Sequence, residues 1–194
     1  MQGWFMTPFI TLTTLLFATV MYSAQTAASA PASSRRTIKL QNGDSLTYTT
    51  REEETLLTFK GVNESLEEPA LKRDKDVAPQ SRVKHMKVVG EIGRNVLILT
   101  DTYYSLPGSM QFCQAGDETF LRVVALKPEP KVTFEKKLES CRSNLELAEP
   151  GLAWNPETFT LQIHWLQNPA AKGEANSQSY KIDAKGQVVP LHSE

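Results

Sequence analysis

The sequence predicts an all-β chain, a single antiparallel β-sandwich or barrel-like domain behind an N-terminal signal peptide, with room for one short helix. Three observations lead there. Short runs alternate apolar and polar residues, they recur roughly every eight to twelve residues with Gly, Asn or Pro turn chemistry between them, and no long segment carries helical periodicity.

Taking the elements in order, Thr37-Ile38-Lys39-Leu40 and Ser45-Leu46-Thr47-Tyr48-Thr49 flank Asn42-Gly43-Asp44. A tight hairpin needs positive φ at its turn, which Asn and Gly accept, so this pair reads as a hairpin. Thr55 to Phe59 makes a third strand. From Glu64 to Lys87 the pattern breaks: 11 of 24 residues are charged and Pro69 and Pro79 interrupt any helix, so 64–87 reads as an exposed connection with space for a short helix at Leu66 to Lys72. Within it, Lys72-Arg73-Asp74-Lys75-Asp76 reads as a solvated surface. Lys87 to Ile92 and Asn95 to Thr100 form the next pair, and Val96-Leu97-Ile98-Leu99 reads as a central strand buried on both faces. Asp101 to Ser109 is expected to be a loop. Gln111 to Cys113 and Thr119 to Leu126 read as a strand pair or one long bulged strand, stopped by Lys127-Pro128-Glu129-Pro130.

Lys131 to Leu147 is ambiguous. Phe134, Leu138, Cys141 and Leu145 have helical spacing, whereas Val132-Thr133-Phe134 favours a strand start, and the expectation is a strand followed by irregular chain. Gly151 to Trp154 precedes an Asn155-Pro156 turn. In the following strand, alternation puts Phe159, Leu161, Ile163 and Trp165 on one face and His164 on the wetter one. Tyr180 to Asp183 and Gln187 to Val189 close the chain as a hairpin through Ala184-Lys185-Gly186.

Composition limits the functional classes. With 21 basic and 22 acidic residues and a net charge of −1, the chain lacks the overall basic field that holds nucleic acid or an anionic membrane. The first 34 residues contain no Asp, Glu, Lys or Arg, and the apolar run from Phe9 to Tyr22 is followed by small residues up to Ala30. That is the pattern of a secretory signal, which threads the translocon as a helix and then presents a narrow cleavage site. The expected organisation is a signal peptide over 1–28 with cleavage near Ala28 or Ala30, a flexible segment over 29–36, and one β-rich domain over 37–194. The mature protein is expected in the periplasm or secreted, with no stable membrane span once the signal is removed. The apolar run is short against the roughly 20 residues of a transmembrane helix, so an uncleaved anchor ranks second.

Only two cysteines occur, Cys113 and Cys141, neither in a metal-binding spacing. In an oxidising compartment they are expected to form one disulfide, worth about 3.5 kcal/mol on the chain-entropy model. A catalytic role for Cys113 is the weaker alternative. His85, His164 and His192 are widely separated in sequence, and no metal site or cofactor is expected. No phosphate-binding, dinucleotide or hydrolase motif is present. Carboxylates at Glu91, Asp101, Asp117 and Glu118 leave open a general acid and base pair, as does a hydrolase built on His164.

The most distinctive surface feature is the aromatic loop that carries Tyr103, Tyr104, Pro107, Met110 and Phe112. Tyr and Met in a loop supply large contact area at small entropic cost, which suits them to gripping a partner. Trp154 and Trp165 read instead as packing residues. The leader, β-rich body and single cysteine pair are shared by exported lysozyme inhibitors and toxin immunity proteins. The Ser-Gly-x-Tyr element of several lysozyme-inhibitor families is missing, the nearest text being Pro107-Gly108-Ser109-Met110, so no family is assigned. The functional expectation is an exported, non-catalytic binding protein, an inhibitor or immunity protein whose partner is a protein of the cell envelope. An envelope hydrolase and a structural envelope component are the alternatives.

Overall fold

A computed structural model describes residues 35–50, 54–60, 65–72, 74–107, 116–169 and 176–191. The expected signal peptide, Met110, Phe112, Cys113 and His192 lie outside the described residues. Contacts divide the chain after Ala32, and everything below concerns the unit that follows.

That unit is all-β, with no helix among the described residues. Among the described residues, twelve strands form three four-stranded antiparallel sheets, each joining strands that are consecutive in sequence. The first sheet contains β1 (Arg35–Lys39), β2 (Ser45–Thr50), β3 (Glu54–Lys60) and β4 (Ser65–Lys72). The second contains β5 (His85–Ile92), β6 (Val96–Tyr104), β7 (Asp117–Ala125) and β8 (Lys131–Ser140). The third contains β9 (Glu146–Asn155), β10 (Thr160–Gln167), β11 (Ser177–Ile182) and β12 (Val188–Leu191). The strand order in every sheet is open, so the barrel-like alternative is not what forms.

Two apolar cores explain the arrangement. Leu46, Tyr48, Leu57, Phe59 and Leu71 of the first sheet meet Leu97, Leu99, Tyr103, Phe120 and Val124 of the second. The opposite face of the second sheet, with Val96, Ile98, Leu121, Val123 and Leu138, meets Leu161, Ile163, Trp165, Tyr180 and Ile182 of the third. Successive side chains of a strand point to opposite faces, so Val96-Leu97-Ile98-Leu99 must be apolar throughout, as the sequence indicates. Trp165 secures the second core by donating its indole N–H to the Leu138 carbonyl at 2.9 Å.

The first hairpin forms with Lys39 opposite Ser45 and Gly43 at φ 86°. The last pairs Ile182 with Val188 and uses Gly186 at φ 77°. Several expectations are corrected. Residues 65–72 are strand β4, not a connection or helix. Its register against β3 shifts between Leu56 and Thr58, leaving Glu68 and Pro69 opposite Leu57, and a bulge on an edge strand is where a residue without an N–H is tolerated. The rest of the connection is not simply solvated, because Val77, Ser81 and Val83 are buried. The strand that begins at Val96 runs to Tyr104, so the expected loop over 101–109 starts later. Thr and Tyr suit a pleated surface, and Tyr103 and Tyr104 pair with Glu118 and Asp117. Lys131–Ser140 is one strand with two register shifts, followed by a turn and not by irregular chain or a helix. No helix among the described residues is long and apolar enough to cross a membrane.

Candidate functional site

Polar side chains concentrate at the end of the second sheet where β6 finishes and β7 begins, on the face turned to the first sheet. β6 places Asp101 and Tyr103 there and β7 places Glu118 and Arg122, because alternate residues share a face. Arg122 is 1% exposed and Asp101 and Glu118 are fully buried. Removing such charges from water is expensive unless each is paired, and the contacts supply the pairs. The Arg122 Nε donates to both carboxylate oxygens of Asp101, at 2.9 and 3.2 Å, while Nη1 donates to Glu135 Oε2. Burial pushes the Asp101 carboxyl above its ordinary value, with the Arg122 guanidinium and the Tyr103 hydroxyl pulling the other way. The Tyr103 hydroxyl also meets Thr55 Oγ1 of the first sheet at 3.3 Å, and burial together with the Asp101 charge raises its pKa.

A second group of charges adjoins the first. Lys137 Nζ lies 2.7 Å from Asp76, 3.3 Å from Asp74 and 3.5 Å from Glu118. Ser105 Oγ donates to Glu118 Oε1 at 2.7 Å, while Glu118 Oε2 has no hydrogen-bond donor among the described residues and lies 3.5 Å from the Lys137 ammonium. Arg142 adds a contact to Asp76 at 3.2 Å and donates to the Leu106 carbonyl. The hydrogen bond from Lys137, outweighing the opposing effect of burial, holds the Asp76 carboxyl below its ordinary value. Three carboxylates thus converge on a cation supplied by the chain itself. Among the described residues no group of His, Cys, Asp or Glu is arranged to hold a metal ion.

The residues singled out in sequence are separated by this arrangement. Tyr103 is in the core, packed edge-on to Phe120 with ring centroids 6.1 Å apart. It is therefore not a surface contact residue, because alternation along β6 turns it inward. Tyr104 points outward, 48% exposed, with the Lys84 ammonium 4.3 Å from its ring centroid. Lys84 is in turn ion-paired with Asp117. Pro107 is exposed. Cys141 is exposed in the turn after β8, where its amide donates to the Asp117 carbonyl at 3.3 Å, and no free cysteine occurs among the described residues. Among the carboxylates considered for catalysis, Glu91 accepts the Gln41 amide at 2.8 Å, far from the pairs made by Asp101, Asp117 and Glu118. His164 is exposed on β10, with its Nδ1 2.9 Å from Ser177 Oγ. His85 is exposed at the start of β5.

No family model matches the chain, and no curated protein or solved structure matches it at a significant level.

Sequence reasoning missed Arg122, Lys137 and Ser105. Arg122 did leave a signal: it interrupts the otherwise apolar Phe120-Leu121-Arg122-Val123-Val124. A charge inside a strand buried on both faces requires a buried partner, and Asp101 lies two residues beyond the other such run, Val96 to Leu99.

Proposed function

We propose that this is an exported, non-catalytic binding protein that engages a protein of the cell envelope, as an inhibitor or immunity protein would. The observation that carries the reading is the engagement of every carboxylate considered for acid and base chemistry. Glu91 holds a backbone amide, Asp101 holds Arg122, Asp117 holds Lys84, and Glu118 holds Ser105 and Lys137. Groups fixed in this way maintain a rigid sheet end. Rigidity at the base of a contact loop reduces the entropy lost on binding. The proposed contact begins at Tyr104 and Pro107 and continues through Met110 and Phe112. A Cys113–Cys141 disulfide, proposed here, ties that segment to the turn after β8.

The assembly alternative is disfavoured by the sheet edges, which offer poor templates for strand addition. β1 carries Arg35, Arg36 and Lys39, β4 carries Pro69, β9 carries Pro150 and β12 carries Pro190, while β5 and β8 are bulged. The test is capture from an envelope extract with the processed, oxidised protein, followed by identification and titration of the captured protein. Replacing Tyr104 by Ala is expected to weaken that complex at least tenfold. Unchanged affinity would exclude this loop as the contact.

The second reading, a hydrolase, draws on the His164–Ser177 contact, since a nucleophile within reach of a base is the minimum such chemistry needs. Labelling of Ser177 by a fluorophosphonate probe, abolished by His164→Ala, would favour it over the binding role.

A further inference from the structure

We propose that the turn between β9 and β10 is a second contact element, in which Phe159 enters an apolar recess on a protein partner. The proposal rests on the binding role above but uses a different part of the molecule. Phe159 was expected in the core, in line with Leu161, Ile163 and Trp165. It is instead 38% exposed and adopts φ 52°, in the left-handed region. That conformation is costly for a bulky side chain and ordinary for Gly or Asn, so the position spends stability to display an aromatic ring.

Such outliers persist only where surrounding structure enforces them, and they gather at ligand-gripping sites. Enforcement is visible here. Asn155 Oδ1 accepts the amides of Glu157 and Thr158 at 3.0 and 3.2 Å. The Thr158 carbonyl accepts from Lys181 Nζ and from Thr160 Oγ1, and the Phe159 carbonyl accepts the Ile182 amide at 3.0 Å. One side of the Phe159 ring lies over Trp154, with centroids 6.4 Å apart and planes 28° apart. Trp154 rests on Gly90 of the second sheet so closely that a Cβ there would meet the indole at 2.5 Å. The column Gly90, Trp154, Phe159 therefore anchors the ring from below.

The chemistry of the rim indicates the kind of partner. Asn155, Pro156, Glu157 and Thr158, which lead into Phe159, are all exposed. An exposed aromatic ring beside polar side chains matches the anatomy of a protein contact hot spot, whereas a lipid surface calls for an apolar face flanked by several basic residues. Gly90 pairs with Ile98, six residues before Tyr104 on β6, so the base of this column lies about 20 Å along the sheet from Tyr104.

The test has a stability arm and a binding arm. In thermal unfolding, Phe159→Gly and Phe159→Asn are expected to melt at or above the temperature of the parent protein, since both residues relieve the backbone. A clear fall in Tm for both variants would show that the ring is kept for packing, and would overturn the proposal. In the binding arm, the envelope protein captured by the parent chain is identified, purified and titrated calorimetrically against the parent, Phe159→Gly and Tyr104→Ala. At least tenfold weaker binding by Phe159→Gly with undiminished Tm supports the proposal. Unchanged affinity overturns it while leaving the binding role intact. Absence of any saturable partner overturns both. Self-association that Phe159→Gly abolishes in sedimentation would assign the recess to a second copy of this chain, and so would also overturn the partner proposed here.

Discussion

The two faces of the second sheet are built from the same four strands and solve burial differently. The face toward the third sheet is hydrocarbon, with Leu121, Val123 and Leu138 packed on Leu161, Ile163 and Trp165. The face toward the first sheet begins in the same way and then, at one end, buries Asp101, Glu118 and Arg122. An apolar interface tolerates any occupant of suitable volume, whereas a buried ion cluster accepts only the arrangement that pairs every charge. The comparison teaches that cohesion is spread over both interfaces, while the geometry of the end that carries Tyr104 depends on one of them.

Five predictions would break or sharpen that contrast. Replacing Arg122 by Met leaves Asp101 buried without its guanidinium and should cost about 3–5 kcal/mol in chemical denaturation. A double replacement, Asp101→Leu with Arg122→Met, should recover most of that loss, and failure to recover would mean that the cluster contributes more than its own pairing. On the opposite face, Leu121→Ala should cost about 2–5 kcal/mol through the cavity it leaves, and no neighbouring replacement removes an unpaired charge there. Gly90→Ala forces a methyl group against Trp154 and should cost about 1–3 kcal/mol, read together with a change in tryptophan fluorescence.

The smallest effect is the pH dependence of the outer clamp. Asp76 is held below its ordinary carboxylate value by Lys137, so its contribution is complete above pH 3.8 and is lost as pH falls through the lower folded value. Lys137→Met should therefore destabilise the protein more at neutral pH than in strong acid. A gap between the parent and Lys137→Met that stays constant down to about pH 2 would remove Asp76 from the account.

Much of the fold was legible because it depends on local rules. Asn42-Gly43-Asp44 and Ala184-Lys185-Gly186 specify hairpins through backbone conformation, and the run Val96 to Leu99 announces a strand with apolar neighbours on both sides. The misreadings came where a distant partner decides. Residues 65–72 hold several charges and a proline, and they form a strand because β3 offers an edge and a bulge absorbs Pro69. Tyr103 and Tyr104 are adjacent and chemically identical, yet only the pleat and the Thr55 hydroxyl of another sheet determine which one turns inward. Phe159 matched the alternation of its strand, but the turn that begins at Asn155 takes up one residue more than the pattern implied. The candidate site was the least legible part, because sequence spacing carries no information on which charges meet across sheets.

The order of strands has a consequence for how the chain acquires its structure. Among the described residues all nine strand pairings join one strand to the next along the chain, so none of these sheets has to wait for a remote segment to arrive. Closing short loops costs little entropy, and chains dominated by such closures fold quickly for their size. Early hairpins therefore shorten the interval in which the apolar strands lie open to proteases and to one another.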